Sequence, residues 1–276
     1  MTITSSPEQS LRDGDLLAAL KSLQDAVKAK PADAKLRIFL FQLLSVLGQW
    51  ERALNQLNIA AELDPLALAM AQTYREAIRC ELLRGQVFEG RKSPMVFGQP
   101  EQWLALLIEA LLLGGQGRNP QAAALRAQAF DQAEGSSGTM DDQPFAWIAD
   151  ADTRLGPVLE AIINGRYYWV PFSRLTRVSI EAPADLRDVV WMPAHFQFDN
   201  GGETVALIPT RYPGSEQSGD GLIQLARKTV WEEAAPEVFH GLGQRLLATD
   251  AGEIPLMDIR EIVFDSTQEP GEAAAD

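Results

Sequence analysis

A repeat with a period of 34 residues in the N-terminal half constrains the fold of this chain more than any other feature. Each unit carries small residues that let two helices approach closely, a leucine one turn later, and a proline that ends the unit. This period and residue order are typical of tetratricopeptide repeats, which are stacked helix pairs. The positions that recur in register are Gly14 and Gly48, Ala19 and Ala53, Leu20 and Leu54, Leu23 and Leu57, Ala26 and Ala60, and Pro31 and Pro65.

Capping residues and apolar spacing give the helix boundaries. Asp33 is a predicted N-cap, Gly48 ends the helix that follows it, and the Asp64–Pro65 pair has the N-cap and first-turn proline of another helix. The sequence therefore predicts a tetratricopeptide-like, all-helical domain over residues 1–134. Its helices are expected at 15–28, 33–47, 50–63, from 65 to about 83, 101–113 and 120–133.

The C-terminal half has the pattern of a β structure. Turn signals with Asn and Gly occur at 164–165, 199–202 and 250–252, each between two apolar segments, as in β-hairpins. Frequent prolines between 157 and 213 argue against long helices. We predict an α+β protein: the helical domain, a flexible linker over residues 135–140, and a mostly antiparallel β domain over residues 141–276.

Charge is placed unevenly along the 276 residues. Residues 1–140 carry 14 basic and 15 acidic side chains, whereas the rest carry 10 and 23, which gives a net charge of -14. So acidic a chain is a poor partner for nucleic acid or for an anionic membrane surface. The longest apolar segment, 103–113, is too short to cross a bilayer, and the N-terminus lacks the pattern of an export signal. We therefore expect a cytoplasmic protein.

Catalytic and ligand motifs are missing from the sequence. It has no Gly-x-Ser-x-Gly elbow, no phosphate-binding Gly-x-x-x-x-Gly-Lys and no His-Glu-x-x-His zinc motif. One cysteine, Cys80, and two histidines leave little material for a metal centre, and Cys80 is expected to be a buried apolar residue. We expect no catalysis, no cofactor and no metal.

A string of unusual motifs in the C-terminal half resembles the ImpE/TagJ family. The segments are DTRLGP at 152–157, NGRYYWVP at 164–171, PADLRD at 183–188 with Trp191, and RYPGS at 211–215. The resemblance extends along nearly the whole chain. It implies a non-enzymatic accessory protein of bacterial type VI secretion clusters that associates with the contractile sheath through a helix of the small sheath subunit. It also implies a link to the AAA+ ATPase that disassembles the sheath.

The motif residues themselves allow two interpretations. Trp169, Trp191 and their aromatic neighbours form either a recognition face or, as alternating strand positions favour, a β core. Arg154, Arg187 and Arg211 are predicted to form structural ion pairs with Asp152, Glu160 or Asp188, with a ligand clamp as the second interpretation. The roles of Asp152, Arg154, Trp169, Arg187 and Trp191 in partner binding stay open at this point.

Stacked helix pairs present a groove that accepts a peptide or helix. The inner face should come from the first helix of each repeat, and arginines there would pair with acidic groups of a bound helix. The alternatives are that the repeats only form a platform for the second domain, that the chain is a homo-oligomeric scaffold subunit, or that the β domain holds a small-molecule enzyme site. The candidate partner-binding residues are Arg37, Phe41, Leu44, Ala71, Arg75 and Ile78.

Overall fold

A computed structural model describes residues 6–235 and 238–265. Asp15 and Asp33 cap two of its N-terminal helices by accepting hydrogen bonds from main-chain N–H groups of the first turns, with N···O distances of 2.9–3.2 Å. The helices are α1 Pro7–Arg12, α2 Leu16–Ala29, α3 Ala34–Val46, α4 Trp50–Leu63, α5 Leu68–Phe88, α6 Gln102–Gly115, α7 Asn119–Gln132 and the short α8 Gly221–Gln224.

The predicted helix positions agree with these bounds to within one or two residues, with one exception. Helix α5 continues past Gly85 to Phe88, whereas the sequence predicts an end near Leu83. Buried Val87 and an ion pair of Arg84 keep the additional turn packed against the sheet. This tertiary packing outweighs the weak helix propensity of glycine.

Strands fill most of the chain after residue 137. Their bounds are β1 Met95–Val96, β2 Gly138–Met140, β3 Gln143–Phe145, β4 Ile148–Asp150, β5 Val158–Ile163, β6 Arg166–Pro171, β7 Leu175–Ile180, β8 Trp191–Phe198, β9 Glu203–Pro209, β10 Thr229–Ala235, β11 Val238–Gly243, β12 Leu246–Thr249, β13 Gly252–Pro255 and β14 Glu261–Phe264. A nine-stranded sheet has the order β1-β6-β5-β9-β8-β7-β14-β2-β3. Two smaller sheets are β10-β11 and β13-β12-β4.

The three predicted hairpins are present. They are β5–β6, β8–β9 and β12–β13, and each pairs antiparallel across its glycine-containing turn. Asn164 in the first turn has φ of 49° and Gly165 has φ of 71°, as a two-residue hairpin turn of this kind requires. The predicted α+β class, helices first and a mostly antiparallel sheet second, is confirmed.

The structure departs from the predicted linker over residues 135–140. Gly138–Met140 is strand β2 of the large sheet and pairs with β14. A Cβ on Gly138 would lie 2.0 Å from the carbonyl oxygen of Val263, so glycine is present here because the two strands approach too closely for a side chain. The helical half also contributes strand β1, where Met95 pairs parallel with Tyr168.

Two hydrophobic cores lie on opposite faces of the large sheet. One contains the helices together with sheet residues such as Trp169 and Trp191, and the other lies between the large sheet and the β13-β12-β4 sheet. The first of these cores therefore contains residues of both the helical and the β half. This arrangement corresponds to the alternative in which the helices form a platform for the second half.

Candidate functional site at the helix–sheet interface

The inner faces of α3 and α5, where the sequence predicts an open groove, are covered by the chain itself. Phe41, Leu44, Ala71 and Ile78 are at most 2 % exposed and belong to the shared core. The candidate inner-face residues are therefore not accessible in this conformation, and Phe41 and Leu44, the predicted apolar anchors, are core residues, which is the alternative interpretation of these two. Burial against the sheet removes their apolar surface from water, as in any domain core.

A short segment before and at the start of β8 fills this groove. The 3-10 turn Leu186–Val189 packs on α3, and Trp191 packs against α4 and α5. The ring of Trp191 lies 5.6 Å from Tyr74 and 6.0 Å from Trp50, and its indole N–H donates to Glu81 at 3.1 Å. The groove is thus occupied by a tryptophan of the same chain, in the way an aromatic anchor fills a binding pocket.

The two predicted arginines differ from their apolar neighbours because both remain partly exposed. Arg37 donates to the carbonyl of Pro31 and to Gln56, both at 2.8 Å, and Arg75 donates to Asn58 at 2.7 Å. Each arginine thereby connects its own helix to α4 or to the preceding turn. No carboxylate in the described part of the chain pairs with either side chain.

A buried ionic network joins α5 to the sheet beside this groove. Arg84 donates to both carboxylate oxygens of Glu160 at 2.7 and 2.8 Å, and to the carbonyl of Arg211 at 2.9 Å. The guanidinium of Arg245 lies 3.2 Å from the same carboxylate, which also accepts the hydroxyl of Tyr167. Glu160 and Arg245 are fully buried. Burial acts to raise the pKa of Glu160, but the two arginines outweigh it and hold that pKa below the usual range.

Asp150 extends the network toward the small sheet. Arg245 donates to one of its oxygens at 2.6 and 2.9 Å, and the hydroxyl of Tyr212 donates to the other at 3.1 Å. Burial raises the pKa of Asp150 to about 6, against the opposing effect of Arg245. Every charged group of this network has a partner of opposite charge, which is how proteins accommodate buried charges.

Three motif arginines differ in what they bind. Arg154 pairs with Asp152 at 2.6 Å and Arg187 pairs with Asp185, so both form structural ion pairs, although Arg187 uses a different carboxylate from those predicted. Arg211 pairs with no carboxylate in the described residues; it donates to the carbonyls of Val46 at 2.8 Å and Gln224 at 2.5 Å. Because Val46 ends α3, Arg211 satisfies a carbonyl at a helix C-terminus, where a positive charge is favourable.

Comparison with known proteins gives consistent results for sequence and structure. Residues 142–263 match the family model described as ImpE protein. The chain is 54 % identical over 260 residues to the type VI secretion system accessory component TagJ of Pseudomonas aeruginosa. The matched region covers 94 % of this chain and 91 % of that protein. The chain belongs to the ImpE family.

Similarity at the structural level covers the whole ImpE-family architecture. The crystal structure of protein VPA1032 from Vibrio parahaemolyticus matches with a TM-score of 0.85 and 27 % identity, over 94 % of this chain and 97 % of that one. Both the helices and the sheets are therefore common to the two proteins. No helix in the described ranges is long and apolar enough to cross a membrane.

The network explains several of the ImpE-family motifs and includes residues that the sequence analysis missed. Five motif residues are buried where the helices meet the sheet: Asp152, Arg154, Trp169, Trp191 and Arg211. The two tryptophans are core residues rather than an exposed recognition face.

Arg84 and Arg245 were not singled out by the sequence analysis. The available signal was an arginine with apolar neighbours, as in Arg245-Leu-Leu-Ala248. No group of metal-ligating side chains occurs within residues 6–235 and 238–265.

His240 gives this ImpE-family chain a predicted pH dependence of stability. Burial, together with Arg154, lowers the pKa of His240 to about 4 from its ordinary 6.5. The folded state thus favours neutral imidazole, so the contribution to stability is complete above pH 6.5 and is lost as pH falls toward 4. After allowance for partial exposure, we expect a loss of about 1 kcal/mol between pH 7 and pH 5.

Urea denaturation at these two pH values measures that loss. In His240→Gln the decrease in the free energy of unfolding should be smaller by about 1 kcal/mol than in the parent. His195→Gln, which removes the other histidine, is the matched control. An unchanged pH dependence in His240→Gln would contradict the assignment.

Proposed function

We propose that this chain is a non-enzymatic, cytoplasmic accessory protein of a type VI secretion system that acts by binding other proteins. The observation that carries the proposal is the 54 % identity to the accessory component TagJ along nearly the full length of both chains. Proteins so similar over their whole length share their fold, and residues 142–263 of this chain also match the ImpE family model.

A binding role is favoured over catalysis by the state of the ionisable groups. The carboxylates of the interface, Asp150, Asp152 and Glu160, are buried and paired with arginines. A general acid or base has to reach a substrate, whereas these groups reach only one another. Cys80 is also a poor nucleophile, because burial raises its pKa to about 12.

The partner that we propose is a helix of the small contractile-sheath subunit, with a further link to the sheath-disassembling AAA+ ATPase. Both partners follow from the family resemblance. The filled groove changes where such a helix would bind: it would lie along the rim of α3 and α5, where Arg37 and Arg75 are partly exposed, and not on Phe41 or Leu44.

The double substitution Arg37→Glu and Arg75→Glu tests this placement. We expect it to weaken binding of a peptide with the sequence of the sheath-subunit helix by about 1–3 kcal/mol, because two attractive charge pairs become repulsive. Isothermal titration calorimetry measures the affinity, and urea denaturation checks that the variant is folded.

Arg52→Glu with Arg79→Glu is the matched control, since both arginines are exposed and lie on the neighbouring α4 and α5 surfaces. This control changes the net charge by the same amount. Equal weakening of peptide binding in both double variants would therefore indicate only a long-range attraction between the peptide and the charge of the whole protein. If the Arg37 and Arg75 variant binds as tightly as the parent, the rim of α3 and α5 is not the binding surface.

A further inference from the structure

A small cavity between the helices and strand β11 is lined by basic side chains from both halves of the chain. It has a volume of about 110 Å³ and lies between the end of α6, the start of α7 and strand β11. The polar groups that line it are Asn119 and Arg126 of α7, Arg154 and His240, with the ring of Phe88 forming an apolar wall. None of these groups takes part in the function proposed above.

Arg126 is the unusual residue of this cavity. It is only 9 % exposed, yet its buried Nε has no hydrogen-bond partner, and its side chain makes no hydrogen bond or ion pair with any described residue. A buried N–H group without a hydrogen-bond partner costs about 1–3 kcal/mol, and nearly all buried polar groups in proteins are paired. Arg154 cannot supply a partner, because an arginine side chain has only donors.

The neighbouring charges leave a net positive charge in the cavity. Arg154 is neutralised by Asp152, to which it donates at 2.6–3.1 Å. Asp152, the carboxylate among the described residues whose charge acts on Arg126, also accepts the N–H of Gly241 at 2.9 Å and is thus already engaged by other donors. The positive charge of Arg126 is therefore not balanced within the described residues that surround it.

Helix α7 adds to this positive potential. Asn119 and Ala122 of its first turn line the cavity, and no side chain caps the free N–H groups of that turn. The N-terminus of a 14-residue helix carries a partial positive charge and offers N–H donors. The donors of the first turn and Arg126 approach from α7 and His240 approaches from β11, and an anion with oxygens in several directions suits this arrangement better than a planar carboxylate.

We propose that this cavity binds a small tetrahedral oxyanion of the phosphate class, with Arg126 as its main ligand. The anion supplies the missing partner of Arg126 and connects α7 to β11. Its source is either free inorganic phosphate or a phosphate monoester group of a larger molecule that enters through the opening of the cavity.

Titration calorimetry of the full chain at constant ionic strength, set with NaCl, tests the proposal. Inorganic phosphate should bind saturably with one site per chain, and Arg126→Gln should weaken binding about 30-fold or more, because the buried charge pair is lost. Arg166→Gln removes an exposed arginine and should bind as the parent does. O-phosphoserine is the second arm: binding of it in addition to phosphate identifies a group carried by a larger molecule, and binding of phosphate alone identifies the free ion.

Two results of the titrations overturn the proposal, and a third comes from the spectrum of Arg126. The first is the absence of saturable binding of both compounds to the parent protein, and the second is acetate binding as tightly as phosphate. A measurement on the parent protein avoids any dependence on how Arg126→Gln folds. The Nε–H resonance of Arg126, assigned by its through-bond correlations to the Arg126 backbone, should shift progressively with phosphate and not with NaCl. If it does not move, Arg126 is not the ligand.

Discussion

Glu160→Gln should lower the free energy of unfolding by about 3–5 kcal/mol, one of the two largest effects that we expect from a single substitution in this chain. The glutamine keeps the shape of the side chain but removes the negative charge that Arg84 and Arg245 share. Both guanidinium groups are buried, so neither can turn to water to recover its lost partner. Urea denaturation followed by circular dichroism measures the change.

The matched control is an exposed ion pair in the same sheet. Glu261 pairs with Arg177, and both side chains are more than two-fifths exposed. Glu261→Gln should therefore change the free energy of unfolding by less than about 1 kcal/mol. Because Arg84 and Glu160 interact directly, the double variant Arg84→Met, Glu160→Gln should also cost less than the sum of the two single variants. A loss below about 1 kcal/mol for Glu160→Gln would show that the network is dispensable.

Trp191→Ala should destabilise the chain to a similar extent, by about 3–5 kcal/mol. The indole is fully buried against α4 and α5, and its removal leaves a cavity beside Tyr74 and Trp50. The carboxylate of Glu81 also loses the hydrogen bond that it accepts from the indole N–H, with an N···O distance of 3.1 Å. Urea denaturation should show the lower free energy of unfolding. The variant should also bind more of a hydrophobic dye than the parent, because the inner face of the helices becomes accessible.

Trp147→Ala is the appropriate comparison for this variant. Trp147 is 43 % exposed, so its removal should cost about 1 kcal/mol or less. Equal destabilisation by both substitutions would mean that Trp191 does not fix the helices on the sheet.

Local sequence signals were sufficient for helices α2 to α4 and for the three hairpins, although not for strands β1 and β2 or for the end of α5. The 34-residue register placed α2 to α5, because caps such as Asp15 and Asp33 and breakers such as Gly48 act within one or two turns. The hairpin β5–β6 was equally accessible, since Asn164–Gly165 determines its own turn. These features depend on residues close together in the chain, and periodicity and turn chemistry describe such residues well.

The helix–sheet interface depends on residues far apart in the chain, and no local pattern reports their contact. Arg84 and Glu160 are 76 residues apart, and Trp191 lies 110 residues from Glu81. Phe41 and Leu44 carry the same apolar signature whether a groove is open to a partner or filled by the chain itself. The sequence therefore predicted a binding surface where the structure has a core, and it missed Arg84 and Arg245 because charged residues are rarely expected inside.

The two edges of the nine-stranded sheet bear on how this protein avoids aggregation. At one edge β1 is only two residues long, and at the other β3 contains Pro144, which has no N–H to donate. Neither edge offers the extended row of free donors and acceptors on which a strand from another molecule could nucleate. A sheet of this width can therefore remain in a crowded solution without joining to its neighbours edge to edge, which matters for a protein whose proposed work is to meet other chains.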